Sequence, residues 1–238
     1  MRTVAFRRTR ATAPGENKGE KENLSTPLMN SERLKDFCQA AYELLVLAKD
    51  ATFELMDAVM TTRNAACLAE FSLNPLFNRH RPCVYEALQD CRPERKKLMM
   101  LYIKQLQQQV PTTEHILVAI DRTVWGRPDA KTLKDRTHEY QGGVIIGQGY
   151  STIAWIPEAQ GSWALPLLHE RISSGSSPIL QAASQLKLVC EQSLNPVLAV
   201  LDREYGNASW VLAQADTQAD CLMRLRKNAW KVVSTTSL

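Results

Sequence analysis

Two short apolar runs in this chain each end in an aspartate followed by an arginine. They are HILVAID over residues 115–121, followed by Arg122, and PVLAVLD over 196–202, followed by Arg203. Two carboxylates brought to one place repel each other unless a cation lies between them. Mg²⁺ and Mn²⁺ are hard ions that take oxygen ligands and keep several waters, so Asp121 and Asp202 are candidate ligands for either. In two-metal phosphoryl transfer the ions sit about 3.5–4 Å apart, one activating the attacking oxygen and the other stabilising the leaving one. One aspartate of such a pair bridges both ions, the other serves a single ion, and a third acid completes the set. The plainer reading is that an aspartate ending an apolar strand caps the turn after it. The repeated Asp-Arg weakens the preference for that reading without reversing it.

For the pair to meet, the runs must be neighbouring parallel strands. Ile116–Ile120 and Val197–Leu201 lack Gly and Pro and are rich in β-branched and large aliphatic residues, as strands buried on both faces are. Strand ends at the rim of an open α/β sheet are where such sheets place ligands. Between the runs, residues 122–141 are polar and basic and read as a long loop, a length that itself suggests function. Gly142-Gly143 leads into VIIGQGYSTIAWIP, which reads as two β segments hinged near residues 147–149. Ser162 can cap a helix over 164–172, and residues 179–192 are amphipathic at helical spacing. Asn207 can cap a further helix, and residues 219–225 read as a last strand. A meander of strands followed by a helical crossover lets the second run lie parallel to the first.

The region before Pro111 is helical in pattern. Residues 1–29 are polar, with Pro14, Gly15, Gly19 and Pro27, and read as a disordered leader. From a cap at Asn30 or Ser31, apolar residues recur at helical spacing from Leu34 to Met60, as one long helix would. Shorter helices are expected over 64–71, from Pro82, and from Pro93 to about residue 108, giving a helical region over 31–109. The last of these carries Arg92, Arg95, Lys96, Lys97 and Lys104 against Glu94 alone. That is a solvated face or, in a helical bundle, a way to hold DNA.

With 238 residues, 45% hydrophobic and 23% charged, the chain can bury an ordinary globular core, and its net charge of +4 allows a nucleic-acid partner without requiring one. The six cysteines form no CxxC pair, and no Cys/His group has zinc spacing, so a reduced, cytoplasmic protein with mostly buried thiols is expected. No signal peptide or membrane span is expected.

From about Ser31 to Lys231 the chain resembles bacterial insertion-sequence transposases of the DDE type. The resemblance rests on LVAIDRTVW (117–125), LDREYG (201–206) and CLMRLRKN (221–228), with Trp163 and Pro166 before the crossover helix. It implies an α/β fold, with a ribonuclease-H-like mixed sheet over residues 111–238 behind the helical N-terminal region. It implies that Asp121 and Asp202 are the first two catalytic acids, holding Mg²⁺ or Mn²⁺, with Tyr205 and Gly206 in the second box. The implied partners are DNA, as transposon ends and target, and a further copy of the chain in a homo-oligomer. The implied reaction is metal-dependent phosphodiester cleavage followed by strand transfer. Arg122, Arg127, Lys131, Lys134 and Arg203, with Arg224, Arg226 and Lys227 at the last strand, would flank the metal edge as DNA-binding residues.

The family's third acid, a glutamate beyond the last strand, has no counterpart, since no Asp or Glu follows Asp220. A truncated or frameshifted copy, unable to cut DNA alone, is therefore expected. Glu204 lies on the wrong element to substitute. Two alternatives stay open: a non-catalytic DNA-binding or inhibitory remnant, and an unrelated metal-dependent nuclease or phosphatase.

Overall fold

A computed structural model describes residues 31–108, 110–140, 142–157 and 164–224. In order, the elements are α1 (Ser31–Glu43), α2 (Lys49–Thr61), a 3₁₀ turn (Leu68–Leu73), α3 (Pro82–Asp90) and α4 (Arg95–Gln107). Then come β1 (Ile116–Gly126), β2 (Thr137–Tyr140), β3 (Val144–Trp155), β4 (Leu165–Arg171), α5 (Pro178–Gln192), β5 (Val197–Leu201), α6 (Ala208–Ala213) and β6 (Asp220–Met223). The strands form one mixed sheet in the order β2-β3-β1-β5-β6, with β4 also paired to β3. β1 runs antiparallel to β3 and parallel to β5, which is parallel to β6. The protein is thus mixed α/β. No helix among the described residues is long and apolar enough to cross a membrane.

The sheet is buried on one face. Ile116, Val118 and Ile120 of β1 alternate into a core with Ile153 of β3 and Val197, Ala199 and Leu201 of β5. Met99, Ile103 and Leu106 of α4 reach that core at helical spacing, as do Ala182, Ala183, Leu186 and Val189 of α5 and Trp210 of α6. Pro178, whose ring favours the first helical turn, opens α5, and the Asn207 Oδ1 caps α6 by accepting from the Trp210 backbone N–H at 3.1 Å. Residues of the other parity, Leu117, Ala119, Leu198 and Val200, are half-buried, and Leu222 beside Val200 is exposed. Leu55, Ala58, Phe77, Val84 and Ala87 make a separate small core for α2 and α3. Helix α4 therefore belongs to the sheet's core as well as to the helical region, and Lys97 on it pairs with Glu94 at 2.7 Å.

Several expected elements differ. The single helix expected from about residue 32 to 60 is two, because Ala48 takes φ 50° and Leu45 bridges to Pro93. The helix expected over 64–71 is the 3₁₀ turn. The helix expected over 164–172 is strand β4. A bulge between Ile153 and Ala154 lets Leu167 and Leu168 both bury, so spacing there imitates a helix. The long loop expected after Asp121 is mostly strand: β1 continues to Gly126 against β3, and β2 pairs with β3 through a hairpin at Gly142, where φ is 70°. Strand β3 runs straight through residues 147–149 without a hinge. The leader, the Ser162 cap, Trp163, Arg226 and Lys227 lie outside the described residues.

The thiols are not mostly buried as expected: two are exposed and the other four half-buried. Cys38 and Cys67 are exposed, whereas Cys190 and Cys221 pack against the sheet core. Burial, then the neighbouring Cys221 and Glu191, pushes the Cys190 thiol up to about 11, and burial raises Cys221. The thiolate is the reactive form. At pH 8 a thiol reagent should modify Cys38 and Cys67 in the native protein and reach Cys190 and Cys221 only after unfolding. Peptide mapping reads this directly, and rapid native labelling of Cys190 would contradict it.

Candidate metal and nucleic-acid edge

The last paired residues of β1 and β5 are Ile120 and Leu201, in parallel register. Asp121 and Asp202 each come one residue later, at the same end of adjacent strands about 4.8 Å apart. Both are exposed. On the far side of β5, Leu201 pairs with Met223, so Arg224 comes next at the same edge, also exposed. The topology thus sets Asp121, Asp202 and Arg224 in a row across three strands.

Each aspartate spends one oxygen on the backbone. Asp121 Oδ1 accepts from the Arg122 N–H at 2.8 Å, and Asp202 Oδ1 accepts from the Glu204 N–H at 2.7 Å. The turn-capping role considered from sequence is therefore real for Asp202. Neither Oδ2 has a hydrogen-bond partner among the described residues. The turn is held further by Asn207, whose Nδ2 donates to the Glu204 carbonyl at 2.8 Å.

In the same turn Tyr205 is 1% exposed, its ring edge-on to Trp210 at 5.2 Å. Its hydroxyl has no hydrogen-bond partner among the described residues. Burial raises the phenol's pKa, and the charges of Glu204, Asp121 and Asp202 push the same way, against Arg122. The phenol is thus held in its neutral form.

Arg122 points to the opposite, buried face. It pairs with Glu139 of β2, and its Nη1 donates to Glu204 Oε1 at 3.0 Å. Thr137 Oγ1 donates to the other Glu139 oxygen at 2.5 Å. In the same layer Ser151 Oγ donates to Gln185 Oε1 at 2.7 Å, and Gln185 Nε2 donates to the Ser151 carbonyl and to Glu170. The Arg122 guanidinium is committed to two carboxylates and ties the 202–207 turn to β1.

Of the other expected phosphate contacts, Arg203 follows Asp202 directly, whereas Arg127, Lys131 and Lys134 come after β1 has run on past Asp121 to Gly126. Arg127 stacks over the Trp125 ring at 4.0 Å. Lys131 and Lys134 are exposed on the β1–β2 loop, and neither pairs with a carboxylate among the described residues. Arg203 is exposed in the turn after β5. Asp135 pins the loop to β4 and to the turn between β4 and α5, pairing with Arg171 at 2.8 Å and accepting from the Ser174 N–H at 3.2 Å.

Two exposed carboxylates at one edge suit a hard cation that keeps most of its waters. Among the described residues no group of three His, Cys, Asp or Glu side chains is gathered as a metal site. The donor set therefore fits one ion on two acids, not a full three-acid centre. Nothing in the sequence singled out Glu139, the partner of Arg122, nor Tyr150 and His169, which share the Trp125 face of the sheet. The alternation Asp121, Thr123, Trp125 was the available signal for the exposed face, once β1 is known to continue past the aspartate.

No family model matches the chain, and no curated protein matches it. Among solved structures, the chain is similar to a piggyBac transposase synaptic complex with hairpin DNA, at 11% identity and a TM-score of 0.39. That match covers 77% of this chain and 42% of the other, so this chain spans less than half its length.

Proposed function

We propose that this is a DNA-binding protein of the DDE transposase kind, with a ribonuclease-H-like sheet on which Asp121 and Asp202 hold Mg²⁺ or Mn²⁺. The observation that carries the reading is the parallel pairing of Ile120 with Leu201, which brings two carboxylates distant in sequence to one edge. The strand order supports it too: β1, β3 and β4 are antiparallel in succession, with β2 a short hairpin arm on β3, and the α5 crossover then leads to β5 and β6 parallel to β1. A divalent ion there would supply a water made nucleophilic and a counter-charge for a phosphoryl oxygen. The chain's own part is to fix the geometry. Arg122 anchors the turn that carries Asp202, Tyr205 packs that turn against Trp210, and Arg127, Lys131, Lys134, Arg203 and Arg224 offer cations to passing phosphates.

A second reading, binding without cleavage, is favoured by the lack of a third ligand among the described residues and by the turn-capping bond of Asp202. Labelled DNA incubated with the protein and Mn²⁺ separates the two. The expected result is a salt-sensitive complex with the DNA left intact, because phosphate contacts release counterions. Nicking that disappears in Asp121→Asn would establish catalysis by the pair alone. Absence of any complex at low salt would remove the DNA reading.

A further inference from the structure

The exposed face of the sheet carries planar groups that the metal edge does not use. Trp125 of β1, Tyr150 of β3 and His169 of β4 share that face: Thr123 pairs with Tyr150, Trp125 with Gln148, and Thr152 with His169. The Trp125 and Tyr150 rings are 6.4 Å apart, and Tyr150 and His169 stack at 4.9 Å with 1° between their planes. The Arg127 guanidinium covers the outer end, 4.0 Å from the Trp125 ring. Four planar groups therefore run diagonally across three strands, and Trp125 is 47% exposed. Thr152 Oγ1 meets His169 Nδ1 at 2.8 Å, and Thr152 is itself the cross-strand partner of Asp121. The row thus passes one residue from the carboxylate edge.

We infer that this row is a stacking platform for the bases of an unpaired DNA strand, which it leads past Asp121. The inference rests on the proposed DNA reading and deepens it by specifying the form of the substrate. Aromatic faces on an open sheet bind single strands, whose bases can leave their own stack, and do not bind a duplex, whose base faces are covered. The charge around the row suits a phosphate backbone: Arg127 is part of it, and Lys131 and Lys134 stand on the adjoining loop without carboxylate partners among the described residues. A protein partner buried on such a face would instead call for a continuous aliphatic patch. Here the cross-strand neighbours of the rings are Thr123, Gln148, Thr152 and Arg171, while the aliphatics of the same face lie apart, Val144 and Ile146 at the start of β3 and Leu117, Ala119, Leu198 and Val200 at the other end of β1 and on β5.

The test is fluorescence anisotropy with a labelled single strand of about 12 nucleotides, within the span that such platforms cover, and a blunt duplex of the same sequence. Both are measured in EDTA so that no divalent ion takes part. The wild-type protein should bind the single strand more tightly than the duplex. Trp125→Ala and His169→Ala should each weaken single-strand binding about tenfold or more, with duplex binding little changed. Trp125→Phe should keep most of the affinity. Trp125 is half exposed, so its variants can be checked for an unchanged unfolding midpoint. Single-strand affinity unchanged in both alanine variants, or equal binding of duplex and single strand, would overturn the platform. Metal binding measured separately keeps the two readings apart, because loss of Mn²⁺ binding with the single-strand preference intact would remove only the metal edge.

Discussion

Replacing Arg122 with alanine should lower the stability of the fold by about 3–5 kcal/mol, the range for removing one partner of a buried ion pair. Side-chain exposure is 19% for Arg122 and 7% for Glu139, so neither charge is well hydrated. Without the guanidinium, Glu139 keeps only the Thr137 hydroxyl, and Glu204 loses its tether to β1. The cost comes mostly from stranding the Glu139 charge in the sheet rather than from losing an attraction. Adding Glu139→Gln to Arg122→Ala should therefore recover a good part of the loss, a non-additivity that a double-mutant cycle in urea measures. A loss under about 1 kcal/mol for Arg122→Ala would mean that the pair behaves like one on the surface. Arg122 would then return to the phosphate contacts expected from the sequence.

The second large effect should come at Gly147. Its cross-strand partner is Gly126, and a Cβ added at 147 would run into the Trp125 carbonyl, with the Gly126 Cα at 3.0 Å. The obstacle is backbone on a paired strand, so it cannot rotate away. Gly147→Ala should cost about 1–3 kcal/mol, the usual range for overpacking, and Gly147→Val more. Gly143→Ala is the control. A Cβ there meets nothing within 4 Å, so the change should stay within about 0.5 kcal/mol. Equal midpoints for Gly147→Ala and Gly143→Ala in thermal unfolding would show that β1 and β3 do not approach closely at that point. Since Trp125 sits at that close approach, Gly147→Ala should also weaken the aromatic row.

The apolar runs of β1 and β5, helix α5 and the Asn207 cap could be read from the chain because each is a local signal: an uninterrupted aliphatic run, a 3.6-residue stripe, a side-chain oxygen three residues before its amide. So could the parallel placement of Asp121 and Asp202, which the crossover dictates. The features that could not be read depend on partners distant in sequence. The second half of β1 mixes polar and apolar residues on both faces: Arg122 turns to a buried carboxylate on β2 beside Val124, while Thr123 and Trp125 stay exposed. A run with no apolar face looks like a loop. Gly147 and Gly149 looked like a hinge, yet Gly147 serves close backbone approach within a straight strand. Strand β4 looked helical because its bulge buries two successive leucines. The break between α1 and α2 comes from Leu45 and Leu44 reaching Pro93 and Glu94, a contact that no helical periodicity announces.

The measurement that most directly tests the shared-cation site is calorimetric titration of Mn²⁺ into the wild-type protein, Asp121→Ala, Asp202→Ala and the exposed control Asp216→Ala. Saturable binding should appear in the wild type and the control and vanish in both edge variants while each stays folded. Binding that persists in Asp121→Ala and Asp202→Ala would mean that the two carboxylates at the ends of β1 and β5 do not share a cation.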